Sequence, residues 1–460
     1  MQDYEEFIKN KTKVIIDSGF DIELDQLNEN LFDYQKLIVR WALRKGRCAL
    51  FEDTGLGKTI QQLEWANQVH KHTNKPVLIL SPLAVSSQTE LEAEKFGIVA
   101  KKIENNDEVI NGINIINYQK LHKIDTEQFI GVVLDESSIL KSFTGKTTNL
   151  LIQTFNKTPY KLSCSATPSP NDYTEIGTQA EFLNICTKNE MLSLFFINDA
   201  SSGIGWRLKG HSEEEFYKWI SNWAILLKNP SNLGFDGAKF ILPELNMQNV
   251  ILESKVDDGF LFGVTTAKTL SERRIARKEA LPDKIEKIKE IIEQNKNEKF
   301  LIWCNYNDES EMLKKAIPTA YEIKGSDKDD YKAYGMIEFA KGNIDCLISK
   351  PSICGFGMNW QVCHNIIFCG LSDSFEQFYQ AIRRCYRFGQ EKQVNVYIVI
   401  SEKELSILDN IKEKEQKHQK MSINMINIVS EKLKEDLQIE KHIEKENEYT
   451  QIVKLPKFLV

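Results

Sequence analysis

No two of the nine cysteines in this 460-residue chain form a C-x-x-C pair. An odd number without metal-ligand spacing excludes a disulfide framework and reads as reduced thiols, mostly in cores. Long apolar runs are missing as well: charges interrupt each one before it could cross a bilayer. Met1 to Lys9 is acidic and lacks the apolar stretch of a signal peptide, so a cytoplasmic chain with no membrane partner is expected. There is no excess of positive charge either, since 59 Lys and Arg against 66 Asp and Glu leave −7. That balance argues against general coating of nucleic acid and confines any such contact to a local groove. Internal repeats are absent. What remains is ordinary for a soluble chain, 42% hydrophobic and 27% charged. The length allows about three domains at roughly 150 residues each.

Short apolar runs alternate with helical patterns in two stretches. The first holds Cys48 to Phe51, Val77 to Leu80, Ile113 to Ile116, Val132 to Leu134 and Lys161 to Ser163. The second holds Phe300 to Trp303, Cys346 to Ile348, Ile366 to Phe368 and Val396 to Ile400. Such runs, bounded by turn residues, are expected as buried parallel strands, and two sets of them predict two doubly wound α/β domains in tandem. Between them aromatics cluster, with Phe216, Trp219 and Trp223 at helical spacing. A small helical core explains them; a platform for stacking bases is the sharper alternative. Arg273, Arg274, Arg277 and Lys278 then form a basic turn, read equally as a solvated helix face or as phosphate contacts. From about 402 the chain is rich in Lys and Glu, with apolar stripes at Leu405, Leu408, Ile411 and at Ile426, Val429, Leu433, as in amphipathic helices.

Three stretches carry chemistry. The first strand runs into Thr54-Gly55-Leu56-Gly57-Lys58-Thr59. Two glycines let the backbone turn its N–H groups toward phosphates, Lys58 reaches the β and γ phosphates, and the Thr59 hydroxyl suits Mg²⁺. Glu52 stands where the longer G-x-x-x-x-G-K-T pattern has its first glycine. The strand Val132 to Leu134 runs into Asp135-Glu136, two carboxylates that need a cation or donors. Asp135 suits the metal and Glu136 the attacking water, although strand ends are often acidic without function. Thr144-Gly145-Lys146-Thr147 follows no strand directly and reads as a loop. In the second stretch, Gln380 to Gln390 places Arg384 and Arg387 three apart, on one face of an expected helix. They read as arginine fingers or as an exposed basic helix.

In this order the three stretches resemble the superfamily 2 helicase core, and within it the Snf2-type ATP-driven DNA translocases. Leu31 to Gln35 is similar to the family's adenine-reading segment, with Gln35 at the glutamine position. Leu80 to Leu83 resembles a backbone-contacting motif, and Ser165-Ala166-Thr167 the motif that couples hydrolysis to domain movement. Lys324-Gly325-Ser326 resembles a family turn, and Gly355 to Gln361 the segment joining nucleotide cleft to nucleic-acid path, with Gly355 and Gly357. Gln380 to Gln390 matches Q-A-x-x-R-x-x-R-x-G-Q. Two departures stand out: Ser138 replaces the final His of D-E-A-H, and S-A-T, a form seen in strand-separating relatives, replaces T-G-T.

The resemblance implies two tandem RecA-like domains, 1–182 and 281–401, a helical insertion at 183–280 and a helical extension at 402–460. It implies a DNA-dependent ATPase using ATP and Mg²⁺, a monomer moving on double-stranded DNA, with Ser81, Lys141, Lys350, Arg273 and Arg274 as phosphate contacts. Ser165, Thr167 and Gln380 would couple the domains, and the insertion or terminal helices would meet any protein partner. Strand separation on DNA or RNA or fork remodelling, and an ATP-switched DNA- or protein-binding factor with little turnover, are the rival readings. High Lys, Asn and Ile usage fits an AT-rich bacterial or phage source.

Overall fold

Every apolar run expected as a strand forms one in the computed structural model, which describes residues 17–83, 85–142, 144–169, 172–199, 205–253, 270–354 and 358–437. The described residues fall into two units. The first takes those up to 81, 89–240 and those from 420; the second takes 82–88 and 241–419.

The first unit is built on a seven-stranded parallel sheet. Its strands are β1 (Arg47–Glu52), β2 (Val77–Ser81), β3 (Ala100–Lys102), β4 (Ile113–Asn117), β5 (Gly131–Asp135), β6 (Tyr160–Cys164) and, after the hairpin described next, β9. β7 (Phe196–Asp199) and β8 (Gly205–Leu208) pair only with each other, antiparallel; β9 (Ala224–Leu227) adds beside β1. The order is β3-β4-β2-β5-β6-β1-β9. Val132, Val133 and Leu134, like Ala49 and Leu50, are fully buried, as both faces of a parallel sheet under helices should be.

The second unit holds β10 (Leu245–Leu252), β11 (Phe300–Trp303), β12 (Tyr321–Glu322), β13 (Cys346–Ser349), β14 (Asn365–Phe368) and β15 (Val394–Ser401) in the parallel order β10-β15-β14-β11-β13-β12. Alternation along β11 feeds two cores. Phe300 and Ile302 pack with Leu281, Ile285 and Ile288 of the helix Leu270–Gln294; Leu301 and Trp303 pack on the other face with Phe339 and Trp360. One helix, Leu405–Leu437, follows β15, and Ile407, Leu408 and Ile411 bury its start in the second of these cores. Ile426 is half-buried, while the side chains of Val429 and Leu433 lie outside the described residues.

The stretch 183–280 is not a separate helical body. The helix Glu213–Ser221 does carry the aromatic face, but Phe216, Trp219 and Trp223 bury into the first core, and the segment right after them becomes β9. β10, read from sequence as part of the same insertion, joins the other sheet along all eight of its residues. Phe216, Trp219 and Trp223 are therefore core and not a base-stacking platform, whereas Trp206, of the same aromatic region, is 38% exposed.

Charge is also buried in the second unit. Arg277 Nε lies 3.0 Å from Glu404 Oε1 and 3.5 Å from Glu309 Oε1, and Lys284 pairs with the other Glu404 oxygen. Burial alone would raise the Glu404 carboxyl, but the Lys284 and Arg277 charges outweigh it and hold it below the usual carboxylate range. Gly370, at φ +109°, lets the Arg277 guanidinium in: a Cβ there would stand 2.2 Å from it. Removing one partner of a buried pair strands the other charge, at about 3 kcal/mol or more. Lys284→Ala is expected to lower the unfolding free energy by about that much, read as a lower midpoint in urea unfolding.

Candidate nucleotide site and its neighbours

Three strand ends meet in the first unit because β6 lies between β5 and β1. Asp135 is in register with Cys164, and Cys164 with Leu50. The residues just beyond this row are Glu136, Ser165 and the loop that follows Glu52. Ligands at open parallel sheets gather at such carboxyl ends.

The glycine loop turns between β1 and the helix Lys58–Thr73. Gly57 takes φ +80°, and a Cβ on it would stand 2.3 Å from the Gln35 side-chain nitrogen. Gln35 is buried and holds the turn. Its Nε2 donates to Leu56 O at 2.8 Å, its Oε1 accepts from Phe32 N–H at 2.9 Å, and Tyr34 Oη also donates to Leu56 O at 2.8 Å. Lys58 Nζ lies inside the loop, donating to the carbonyls of Glu52 (2.6 Å) and Asp53 (3.0 Å). An anion entering the turn meets this ammonium, loop N–H groups and the positive end of a helix. Thr54 N–H donates to Asp53 Oδ1, and Thr59 sits half-buried in the first turn of the helix.

Sequence reading missed the bed of this loop. Glu52 is fully buried; Gln61 Nε2 donates to its Oε2 at 2.8 Å, while its Oε1 has no hydrogen-bond partner. Burial pushes its carboxyl up to about 7, although Lys58 and the Gln61 bond pull the other way. The adjacent Gln62 donates to Asp135 Oδ1 at 2.9 Å, tying the helix to the second motif. The spacing of Gln61 and Gln62 from Lys58 was the available signal: one turn into the helix, on the side facing the sheet.

Glu136 is held in the left-handed region, φ +61° and ψ +57°, uncommon for a residue with a Cβ and concentrated at working sites. Its Oε1 accepts from Ser165 Oγ at 2.9 Å and from Ser138 Oγ at 3.2 Å. Both departures from the family pattern thus grip one carboxylate. Ser165 Oγ also accepts from Thr167 N–H at 3.1 Å, and Gln179 Nε2 donates to Ser137 O at 2.8 Å. Tyr118 Oη donates to Asp135 O at 2.8 Å; its own proton is held tightly, by burial first and by the Asp135 and Glu136 charges second.

A magnesium nucleotide is the group these motifs imply, and the donor set suits it. A half-buried hydroxyl at Thr59 and a carboxylate at Asp135 are hard oxygen ligands, and Lys58 supplies the counter-charge. Among the described residues there is no cluster of three or more His, Cys, Asp or Glu able to hold a metal.

The second unit, taken by itself, brings Arg384 and Arg387 together, but not along a helix. The helix Phe375–Ile382 ends before them, at Arg383 with ψ 0°, and the two arginines lie in the following turns. Arg384 is 4% exposed; its Nη1 and that of Arg387 both donate to Met358 O, at 3.3 and 3.4 Å. Gln390 Nε2 donates to the carbonyls of Gln361, Cys363 and Cys385, fastening the end of the motif. Gln380 is buried with both side-chain polar atoms unpartnered.

The remaining candidates are dispersed. Ser81 ends β2 and is buried, Lys141 is exposed at the end of a 3₁₀ turn, and Lys350 Nζ donates to Asn307 Oδ1. Arg274 is exposed with its guanidinium 5.8 Å from the Tyr306 ring centre. Gly355, Gly357 and the Arg273 side chain lie outside the described residues. Thr144 to Thr147, expected as a loop, is one only in part: Lys146 and Thr147 open the helix Lys146–Thr154, which follows no strand directly.

Comparison with known proteins gives matches in both halves. Residues 34–195 match the SNF2-related domain and residues 283–389 the helicase conserved C-terminal domain. The DNA annealing helicase and endonuclease ZRANB3 of Bos taurus is 23% identical over 430 residues, 84% of this chain and 40% of that protein. Protein p41 of Acyrthosiphon pisum secondary endosymbiont phage 1 is 24% identical over 412 residues, 76% of this chain and 87% of that one. The chain thus spans less than half the length of the animal protein and most of the phage one. A solved structure of the Sulfolobus solfataricus SWI2/SNF2 ATPase core in complex with dsDNA aligns with TM-score 0.42 at 19% identity, covering 83% of this chain and 90% of that one.

Three outcomes are expected. Glu52 carries a carboxyl whose folded pKa, about 7, exceeds its ordinary 4.5, so its contribution to stability is full below pH ~4.5 and lost as pH rises through ~7. Glu52→Gln should therefore flatten the decline in melting temperature between pH 5 and pH 8, a term of up to about 3 kcal/mol. Ser165→Ala, which removes a hydrogen bond to a charged group, should lower kcat for ATP about tenfold with little change in nucleotide affinity. Ser138→Ala, losing the longer bond, should lower it less.

Proposed function

We propose that the chain, whose residues 34–195 match the SNF2-related domain and 283–389 the helicase conserved C-terminal domain, hydrolyses ATP to move along double-stranded DNA. The observation that carries the reading is the grip on Glu136: a carboxylate one residue past Asp135, aimed by Ser165 and Ser138. A residue so oriented is placed to take a proton from an attacking water.

The chain's own groups divide the work. Lys58 exchanges the carbonyls of Glu52 and Asp53 for the β and γ phosphates. Thr59 and Asp135 would hold magnesium, which neutralises phosphate charge when bound. Gln35, which already fixes the glycine turn, reads the adenine and so links base recognition to loop shape. Arg384 and Arg387, which share the Met358 carbonyl, are the chain's candidate arginine fingers. Ser165 is bonded to Glu136 on one side and to the Thr167 amide on the other, so loss of the γ phosphate shifts the coupling segment.

The description of the ZRANB3 relatives as DNA annealing helicases supports the choice of polymer. The test is steady-state ATP hydrolysis with no polymer, duplex DNA, single-stranded DNA or RNA. Stimulation mainly by duplex is expected, followed by displacement of a triplex strand. Lys58→Ala should abolish turnover; normal hydrolysis by that variant would sink the proposal. Stimulation by single strands or RNA would move the reading to strand separation.

A further inference from the structure

Gln62 stands beside both side chains proposed to hold magnesium. It lies near the start of the helix Lys58–Thr73, four residues after Lys58 and three after Thr59, and therefore on their face of the helix. Its Nε2 donates to Asp135 Oδ1 at 2.9 Å. The side chain is fully buried, and among the described residues its Oε1 has no hydrogen-bond partner. Gln61, next in sequence, turns to Glu52 instead, so the two amides serve different carboxylates. Tyr118 Oη holds Asp135 from another side, through its backbone carbonyl at 2.8 Å.

A buried acceptor left without a donor costs about 1–3 kcal/mol. An apolar side chain of the same length would pack the helix on β5 without that cost, so packing does not account for an amide here. The bond to Asp135 accounts for Nε2 and leaves Oε1 unexplained. Magnesium dehydrates reluctantly and keeps several waters when few protein oxygens bind it. Those waters are donors that need acceptors, and outer-shell partners of this kind set how a ligand presents itself to the metal. Oε1 shares a planar amide with the nitrogen that touches Asp135, which places it beside any shell that Asp135 joins.

We propose that Gln62 is a positioning residue for the magnesium site: Nε2 fixes the plane of the Asp135 carboxylate, and Oε1 accepts from a water of the metal's shell. This rests on the reading of Thr54 to Thr59 and Asp135 as the site of a magnesium nucleotide. The competing role is a structural one, a hydrogen bond that merely fastens the helix to β5, and the test separates the two.

The affinity of the full chain for a fluorescent ADP would be measured in EDTA and in excess magnesium, and the ratio of the two is the metal's contribution. Gln62→Met, which fills the space without an amide, should lower that ratio about tenfold and leave binding in EDTA little changed. Gln62→Glu, which keeps an acceptor at that place, should retain more of the ratio while binding ADP more weakly in EDTA through charge repulsion. Magnesium should raise the melting temperature of the ADP-bound unmodified protein, and this increment should shrink in Gln62→Met. Gln62→Leu repeats the measurement with a second apolar side chain should Gln62→Met not fold. A wild-type ratio in the apolar variant, with only a lower melting temperature, would overturn the proposal and leave Gln62 as a fastening between helix and strand. Equal loss of the ratio in the apolar variant and in Gln62→Glu would overturn the acceptor role. Failure of the unmodified protein to bind ADP in either buffer would instead remove the nucleotide-site reading on which the proposal rests.

Discussion

One hydrogen bond, from Ser165 Oγ to Glu136 Oε1 at 2.9 Å, joins the ends of two neighbouring strands. Its existence depends on strand order. Because β6 lies between β5 and β1, the segment leaving β6 must pass beside Glu136 on one side and the glycine loop on the other. Ser165 N–H donates to Leu50 O at 3.2 Å, so the same residue is bound through its backbone to β1 and through its hydroxyl to the carboxylate after β5. Around it the polar groups form a chain of contacts: Gln62 to Asp135, Gln61 to Glu52, and Gln35 and Tyr34 to the Leu56 carbonyl. Networks of this kind in a buried setting resist partial rearrangement, because each broken bond leaves a desolvated atom behind.

The second unit meets a different problem. Guanidinium groups are always charged, and Arg384 is 4% exposed. Carbonyl oxygens serve here as neutral partners: Gln380 O accepts from Arg384 Nε, and Met358 O from both arginines. A neutral acceptor is a weaker partner for a guanidinium than a phosphate is. Gln390, donating to three carbonyls, keeps the turn from collapsing when they move.

Much of this was legible in the chain, and the gaps have physical causes. Strands such as Val132 to Leu134 are continuous apolar runs followed by acidic residues, and nothing but a buried parallel strand suits them. Ala224–Leu227 is just as apolar, but it follows Trp219 and Trp223 so closely that helical periodicity masked it; only pairing with β1, far away in sequence, decides its state. Leu245–Leu252 carries Asn246, Gln248 and Asn249, and its exposed edge position explains the weak pattern. The spacing of Arg384 and Arg387 suggested a shared helix face, whereas convergence on one carbonyl, Met358 O, is what brings them together. Ser138 and Ser165 looked like unrelated departures because a list of motifs does not show that β5 and β6 are neighbours.

Net charge is a poor guide to partners for the same reason. A total of −7 averages surfaces that never act together. The carboxylates that contribute to it are partly spent inside the fold, as at Glu404 and Glu309, which neutralise Arg277 and Lys284 in the core. Others sit at helix starts, as in the run Glu213 to Glu215. What a strand of nucleic acid meets is the local field within about a Debye length, roughly 8–10 Å at ordinary salt.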